Sequence, residues 1–559
     1  MHLVTGPVAA AYGDEGTASP RGPSPSQLQV VRCQAQRAVV LGGAGTGKTT
    51  CALWAVEAAL EKASTDPWRR VLLLTFSRTA VAQIWERLWY SHLSRSLIRE
   101  RLEIATFHGF AYHIVRDFGG NDQLRVRSAA EVQLLGSKGA TLGLSYGDLV
   151  PAALTIVRRP SVRRLLVKRW ALIICDEFQD TSDDQWELLL QLSESTRLLM
   201  LADPNQMIYE DLPGTKGVGP HRLRTVLGTA EVFELQADSF RDPTNILPSA
   251  AERIQARDFE ATAVRSAVES GRFSVIYYND DGTESRCAAV TDAARGLARR
   301  GNLSLGVFLH GNNPAAELSA ALGESGVTHV LLGVGEAQQE ALVAMAYIAA
   351  FGAGWSDRAA YLERLAVFAT ACRRGKMPVE VARQLAGLAP LPAELERRIS
   401  ALENALHEST DVDEIVKLAT SFWSDIGVNL GQRPWLAAAG SFLGLTKAAL
   451  RHERPGKTDF EELIERATLT KSEALAGSTE ETTSPLRLMN FHQTKGREAD
   501  ATILLFGNSD YFGQEQEPFR RLSRLIYVAL TRARREVVIL LPDSPHPVVA
   551  PLMKYALKI

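Results

Sequence analysis

The segment that most constrains this chain is LGGAGTGKTT, from Leu41 to Thr50. Apolar residues 38–41 lead into it and predict a buried parallel strand, and CALWAVEAALEKA, from Cys51, predicts the helix that follows. Gly42 with Gly47, Lys48 and Thr49 completes the phosphate-loop pattern. Glycines tolerate φ > 0, so the backbone N–H groups of such a turn can approach a triphosphate closely. The segment therefore predicts a site for a nucleoside triphosphate.

Individual residues of this loop have separate predicted tasks. Gly42, Gly45 and Gly47 form the turn, and Thr50 directly precedes the helix whose N-terminus faces the phosphates. Lys48 would neutralise charge on the β- and γ-phosphates, and the Thr49 hydroxyl would ligate Mg²⁺. The alternative is a glycine-rich turn without a ligand, which the agreement of strand, turn, Lys-Thr pair and helix disfavours.

Composition limits the class of protein. At 559 residues the chain is expected to hold roughly three to five domains, and its 46% hydrophobic content is normal for a soluble globular protein. A net charge of −2 argues against a uniformly basic nucleic-acid surface, but it leaves room for a local basic channel. No apolar run reaches membrane-span length, and residues 1–25 are predicted to be a flexible tail without a signal peptide. Scattered cysteines without CxxC spacing favour a reduced, cytoplasmic setting: Cys33, Cys51, Cys175, Cys287 and Cys372.

Acidic and amide residues follow two later strands. Asp176 and Glu177 come directly after WALIIC, at the carboxyl end of a predicted parallel strand. We expect Asp176 to hold the Mg²⁺ shell and Glu177 to polarise the attacking water. The alternative is a solvated acidic cap of the helix that starts at Asp183. Gln206, after RLLML, could sense the γ-phosphate through its amide, or could be a loop glutamine facing water.

The alternation of strands and helices predicts an α/β protein with doubly wound parallel sheets and helical insertions. The first unit is expected over 26–230, with a short accessory insertion near 119–168. The second unit is expected over 231–352 and 485–559, with a helix at 336–350 between its strands. Residues 353–484 read as an inserted helical domain. A helix is predicted over 519–535; an arginine-rich helix is usually a solvated face, but Arg532 follows an apolar stretch and could reach a phosphate across a cleft.

Taken in order, the motifs resemble those of the UvrD/PcrA/Rep family of superfamily 1 DNA helicases. The resemblance covers roughly 26–541 and is carried by Gln27 and by GAGTGKT, TFSRTA, TFHGF, DEFQDT, ADPNQMIY, FRDPTNIL, HQTKGRE and YVALTRA. It implies two RecA-like domains with ATP and Mg²⁺ in the cleft between them. It also implies an ATP-dependent helicase or translocase on single-stranded or tailed duplex DNA, moving 3′ to 5′ by family analogy, and no membrane partner.

The resemblance also assigns roles to residues. Gln27 would read adenine, Phe240 would stack on it, and Glu498 would approach the ribose. Gln206 would couple the γ-phosphate to the DNA side, while Arg241 and Arg532 would be arginine fingers. A further group would lie toward the single strand: Thr75, Phe76, Thr106, His108 and His492.

The chain departs from the family in three places. Residues 210–214 read EDLPG where the family has an aromatic residue followed by Arg-Gly, His310-Gly311-Asn312 replaces a common Arg, and the segment 119–168 is short. The aromatic residue would be a base-stacking platform. These departures favour an alternative, a regulatory DNA- or nucleotide-sensing ATPase subunit that controls a partner nuclease, similar in plan to compact subunits of Gabija-type antiviral defence systems.

Overall fold

The computed structural model describes residues 22–558, apart from 64, 90–99, 121–125, 138–143, 211–215, 237–238, 333–334, 374–377, 410, 453–454, 477–484 and 509. Most of the predicted tail, residues 1–21, therefore lies outside the described residues, as does the end of the predicted helical insertion, 477–484. Within the described part of the chain, no helix is long and apolar enough to cross a membrane.

The first unit is built on a six-stranded sheet in the order β3-β2-β4-β5-β1-β6, and every paired neighbour is parallel. Its strands are β1 (Arg37–Leu41), β2 (Arg70–Thr75), β3 (Leu102–Thr106), β4 (Trp170–Cys175), β5 (Arg197–Ala202) and β6 (Glu231–Glu234). Leu72 and Leu74 of β2 pack into one core cluster, while Val71 and Leu73 pack into another. Both faces of the sheet are thus covered, as parallel sheets require.

The first unit contains the helices α1 (Pro25–Arg32), α2 (Lys48–Lys62), α3 (Arg78–Trp89), α4 (Phe107–Phe118), α5 (Ala129–Ser137), α6 (Leu149–Val157), α7 (Pro160–Arg169), α8 (Asp183–Leu192) and α9 (Pro220–Leu227). All of them except α5 pack on the sheet. Several start at residues that sequence chemistry favours. Ser24 and Ser182 form capping boxes at α1 and α8, which satisfy N–H groups that helix starts leave unpaired.

The second unit is a seven-stranded sheet in the order β13-β7-β12-β11-β8-β10-β9, again parallel at every pairing. Its strands are β7 (Phe273–Tyr277), β8 (Leu305–Leu309), β9 (Val330–Leu331), β10 (Leu486–Asn490), β11 (Ala499–Leu505), β12 (Ala533–Leu541) and β13 (Ala556–Lys558). The helices α10 (Ile246–Gln255), α11 (Thr262–Glu269), α12 (Thr283–Arg299) and α13 (Asn312–Glu324) pack with it. The predicted α/β class with two doubly wound parallel sheets is confirmed.

A helical body is inserted between β9 and β10. It comprises α14 (Gly335–Gly352), α15 (Arg358–Cys372), α16 (Glu380–Leu385), α17 (Ala393–Glu408), α18 (Val412–Asp425), α19 (Gln432–Ala449) and α20 (Lys457–Ala476), after which the chain returns to the second sheet and to α21 (Arg520–Leu530). Its core holds Trp423 and Trp435, with Phe368 packed edge-on against both. Ala130 and Leu134 of α5 belong to the same core, so α5 packs with this body, whereas α6 and α7 pack into a core of the first sheet.

Three sequence-based boundaries were wrong. Strand β6 pairs with β1 in the first sheet, so the strand that was expected to open the second unit closes the first. Helix α14 was expected between strands of the second sheet, but it is buried in the helical body, because its apolar residues surround the whole helix and offer no single face to a sheet. The helix predicted over 519–535 ends at Leu530 and β12 starts at Ala533, which puts Arg532 in the turn between them.

Candidate nucleotide site between the two sheets

The phosphate loop joins β1 to α2 at the carboxyl edge of the first sheet. Gly45 and Gly47 have φ of +79° and +85°, in the left-handed region that favours glycine. A Cβ on Gly45 would lie 2.2 Å from the Ser239 hydroxyl oxygen, and a Cβ on Gly47 would meet Gln27 and the Phe240 ring. Gly47 is also the N-cap of α2 and brings no side chain to the first-turn N–H groups. The loop is therefore shaped as an anion cradle.

Lys48 sits at the centre of this cradle. Its ammonium donates hydrogen bonds to the carbonyl oxygens of Gly42 and Gly43 at 2.6 and 2.8 Å, and it lies 3.7 Å from a carboxylate oxygen of Asp203. The side chain is only 10% exposed, so its charge is directed into the loop and not into solvent.

Asp176 and Glu177 follow β4, and the N–H of Asp176 continues the sheet pattern by donating to the carbonyl of Leu74. Glu177 has φ of +53°, an unfavourable conformation for a residue with a Cβ. The Glu177 N–H donates to Asp176 Oδ1 at 2.9 Å, and Gln179 Nε2 donates to Glu177 Oε2 at 2.6 Å. These contacts orient the Glu177 carboxylate toward the cavity that the phosphate loop also lines.

The two carboxyl groups differ in their electrostatics. Burial, together with the neighbouring charge of Glu177, raises the pKa of Asp176 to about 6. Burial also opposes ionisation of Glu177, but the ammonium groups of Lys495 and Lys48 outweigh it and lower the pKa of Glu177. Glu177 is therefore the more acidic member of the pair and loses its proton first as the pH rises.

Lys495 brings a buried cation from the second unit into the first. Its ammonium contacts the Asp180 carboxylate, donates to the Gln206 carbonyl at 2.9 Å and lies 3.5 Å from Glu177. Burial works against its charge, but Asp180 and Glu177 raise the pKa of Lys495. Burial raises the pKa of Asp180 to about 7. This ion pair links the two units directly behind the acidic residues.

Arg532 reaches the first unit from the turn after α21. Its Nη2 donates to Gln206 Oε1 at 3.1 Å, and its Nε donates to the Val528 carbonyl at 2.9 Å. Gln206 Nε2 in turn donates to Asp203 Oδ2 at 2.7 Å. Burial, and then the nearby charge of Arg241, lowers the pKa of Arg532 to about 10, so the guanidinium remains cationic at neutral pH. A continuous polar path thus runs from Lys48 through Asp203 and Gln206 to Arg532.

Arg241 lies on the segment that leaves the first sheet. Its guanidinium pairs with the Glu498 carboxylate and donates to the Thr531 carbonyl at 2.7 Å, and Glu498 also accepts from Arg534 at 3.1 Å. The neighbouring Phe240 ring is 62% exposed, although its backbone N–H is fixed to the Gly45 carbonyl at 2.8 Å. An exposed aromatic face anchored to a phosphate loop is a suitable surface for a base.

These groups line one cavity of about 350 Å³, a volume in the usual range for small-molecule sites. All but two of the residues predicted for the nucleotide site line it: Gly45, Gly47, Lys48, Thr49, Thr50, Asp176, Glu177, Gln206, Phe240, Arg241, Glu498 and Arg532. The two exceptions are Gln27 and Gly42. Gln27 is buried and its amide is engaged by the Ser24 N–H and the Gly47 carbonyl, and Gly42 offers its carbonyl to Lys48.

The donor set suits a hard divalent cation. Thr49 and Asp176, the predicted ligands, line the same cavity and provide a hydroxyl and a carboxylate. The described residues contain no group of three or more His, Cys, Asp or Glu that could hold a metal alone. Mg²⁺ commonly uses one or two protein oxygens with phosphate and water, so the residues fit it. When bound, Mg²⁺ would neutralise charge on the phosphate oxygens.

The residues that were expected to lie toward single-stranded DNA do not share one surface. Thr75 is fully buried. Thr106 is the N-cap of α4, and its hydroxyl accepts a hydrogen bond from the Gly109 N–H at 3.0 Å. Neither hydroxyl therefore faces an open surface. The His108 ring stacks on Tyr146 at 3.9 Å, and burial lowers its pKa to about 4. Of the segment 210–214, only Glu210 is described, and it pairs with Arg524 at 3.2 Å.

Sequence reasoning gave no role to Lys495, Asp180, Asp203 or Tyr527, all of which are buried around this cavity. Each lies inside a motif that the resemblance quotes, namely HQTKGRE, DEFQDT, ADPNQMIY and YVALTRA. Their position within those motifs was the one sign in the sequence that they belong to the site. Their contact partners lie in other motifs and could not be predicted from the spacing of residues in the sequence.

Comparisons with known proteins give partial matches. A family model described as an AAA domain matches residues 27–211. The RecBCD enzyme subunit RecB of Mycobacterium tuberculosis H37Rv is 34% identical over 119 residues, 20% of this chain and 10% of that protein. A probable DNA helicase II homolog of Mycoplasma genitalium is 23% identical over 264 residues, 34% of this chain and 37% of that protein.

The fold and the cavity define a two-lobed nucleotide-binding protein of the RecA-like type. In its motifs and in these partial matches, the chain is similar to UvrD-like proteins of helicase superfamily 1. It covers only 37% or less of the length of these two relatives.

Proposed function

We propose that this chain is an ATP-dependent DNA helicase or single-strand translocase. The observation that carries the proposal is the cavity lined from both units, with Lys48 on the phosphate loop and Arg532 on the opposite unit. Phosphoryl transfer needs positioning and positive charge around the phosphates more than covalent chemistry by the protein. The residues of this cavity provide both.

In this proposal the phosphate loop and Lys48 bind the triphosphate, and Phe240 stacks on the base. Glu177 accepts a proton from the water that attacks the γ-phosphorus. Arg241 and Arg532 stabilise the charge that develops on the transferred group. Their contacts form fully only when both units close on the nucleotide, so hydrolysis and release would change the closure of the cleft.

Gln206 would transmit the nucleotide state. It contacts Arg532 through its side chain and Lys495 through its carbonyl, and both partners belong to the second unit. A change at the γ-phosphate would therefore alter the grip of one unit on the other. Alternating contact of the two units with a DNA strand gives directed movement. We propose the 3′-to-5′ direction, which is that of the family that the chain resembles.

A regulatory ATPase that controls a partner nuclease is the second candidate. Glu210 occupies a position close to where the resembling family places a stacking aromatic residue, and it forms an ion pair with Arg524. An acidic side chain there repels a phosphate backbone instead of binding a base. The relative named RecB is, by its printed name, a subunit of an enzyme, which suits a chain that acts with a partner.

One experiment separates these candidates. Purified protein is given ATP with duplexes carrying a 3′ tail, a 5′ tail or no tail, while strand displacement and ATP hydrolysis are both measured. A helicase displaces the strand of the 3′-tailed duplex, and Lys48→Ala abolishes this activity. Hydrolysis without displacement that all three duplexes stimulate equally supports the regulatory candidate, because a single-strand translocase needs a tail. If DNA and ATP together give neither activity, the proposal is wrong.

A further inference from the structure

Tyr527 joins the second unit to the back of the phosphate loop. Its ring is 1% exposed, and its hydroxyl accepts a hydrogen bond from the Ala44 N–H at 3.4 Å. Ala44 and Ile208 come from the first unit, yet both are buried in the core cluster of the second unit. The phosphate loop is therefore packed into the second unit at this point, and the Tyr527 hydroxyl makes a polar contact there.

The same helix also carries the turn that holds Arg532. The Tyr527 carbonyl accepts the Thr531 N–H at 3.0 Å, and the Val528 carbonyl accepts both from the Thr531 hydroxyl and from Arg532 Nε. These contacts tie the turn rigidly to the last turn of α21. Any shift of Tyr527 along or away from the phosphate loop must therefore move the Arg532 guanidinium relative to Gln206.

We infer that Tyr527 is a positioning residue for hydrolysis, an inference that rests on the proposed ATPase function. Its hydrogen bond with the Ala44 N–H fixes α21 against the phosphate loop and thereby holds Arg532 next to Gln206. The hydroxyl is expected to remain a neutral phenol, because burial raises the pKa of Tyr527 and Asp203 raises it further. Tyr527 does not line the nucleotide cavity. Its effect should therefore appear in turnover and not in nucleotide binding.

The first test compares Tyr527→Phe with Tyr278→Phe. Tyr278 is a matched control, since it is buried in the same unit and donates one hydrogen bond, to the Phe506 carbonyl at 2.6 Å. Loss of one hydrogen bond that acts in the closed state should lower kcat for ATP about 3- to 10-fold in Tyr527→Phe, with KM unchanged. Tyr278→Phe should keep the wild-type kcat. An unchanged kcat, or a change in KM alone, overturns the inference.

A double-mutant cycle shows whether Tyr527 acts through Arg532. In an Arg532→Lys background, Tyr527→Phe should have little further effect on kcat, because the group that it positions is already altered. If the full effect of Tyr527→Phe persists in that background, Tyr527 acts by another route and the inference is wrong.

Hydrogen exchange tests the contact without relying on activity. The Ala44 amide should exchange several-fold faster in Tyr527→Phe than in wild-type protein, and Tyr278→Phe should leave it unchanged. Equal exchange in all three proteins overturns the inference. A chain that shows this difference but hydrolyses no ATP would contradict the proposed function and leave the seating of α21 intact.

Discussion

At the residue scale, the hydrogen-bond acceptors of Lys48 are ones that the phosphates of a nucleotide can replace. Its present acceptors are the uncharged carbonyls of Gly42 and Gly43, and its carboxylate neighbour, Asp203, is 3.7 Å away. Phosphate oxygens are charged and form stronger hydrogen bonds with an ammonium group. We therefore expect the Lys48 ammonium to turn to the phosphates when a triphosphate enters the loop.

Replacing Lys48 by alanine should weaken nucleotide binding and abolish turnover, because no other ammonium lines the cavity among the described residues. Nucleotide affinity is measured by fluorescence titration and turnover by phosphate release. Lys62→Ala is the matched control, since Lys62 ends the same helix and contacts the exposed Gln34 side chain. Unchanged ATPase activity in Lys48→Ala would remove Lys48 from the site.

At the scale of elements, the strand β1, its loop and the helix α2 could be predicted, because apolar run, glycine spacing and Lys-Thr pair are all local signals. The position of β6 could not be predicted, since a four-residue strand with two apolar residues between two glutamates does not indicate which sheet it will join. The position of α14 also could not be predicted, because an apolar helix suits any buried place.

The candidate site divides in the same way. The loop residues and the acidic pair were named from motifs, while the contact between Lys495 and Asp180 joins positions 315 residues apart. A buried cation can be assigned only when its buried anion is known, and that requires the packing of the two sheets. The same holds for Tyr527 and Ala44, which are separated by 483 residues.

Gly45 provides a test of the loop as an element. In Gly45→Ala the new methyl group would collide with the Ser239 hydroxyl oxygen, in addition to the strain of φ +79°. Since the loop can relieve this contact only by moving, nucleotide affinity should fall about 10-fold or more.

Gly271→Ala is the control for Gly45→Ala, because Gly271 has φ of +71° and open space around its Cβ position. It should lose about 1 kcal/mol of stability from backbone strain and keep nucleotide affinity. If Gly45→Ala and Gly271→Ala have the same affinity for nucleotide, the close approach of Ser239 to the loop does not affect nucleotide binding.

At the scale of the whole molecule, α5 of the first unit is fixed to the helical body by buried charges. Lys471 of α20 lies 2.8 Å from Glu131 of α5 and 3.3 Å from Glu340 of α14, and Arg364 lies 2.8 Å from Glu131. Lys471 is 2% exposed and Glu340 is fully buried. We therefore expect α5 and the helical body to move as one piece when the cleft opens and closes.

Lys471→Met should destabilise the fold by about 3–5 kcal/mol, because it leaves the buried Glu340 carboxylate without its cation and Glu131 with Arg364 alone. Chemical denaturation measures the loss. Lys457→Met on the same helix is the control, since Lys457 and Glu461 form a surface pair about 60% exposed, which should contribute less than about 1 kcal/mol. Equal stability of the two variants would show that this cluster does not hold the body together.

ATP hydrolysis in this cavity should need a cation from each of the two units. The most direct measurement compares ATP affinity and single-turnover hydrolysis in Arg532→Ala, with Arg535→Ala as a control whose guanidinium is exposed and donates to the Gly301 carbonyl. Arg532→Ala should bind ATP nearly as tightly as wild-type protein and hydrolyse it about 10³-fold or more slowly, as arginine fingers do elsewhere. A loss in affinity alone, or hydrolysis at the wild-type rate, would contradict the account.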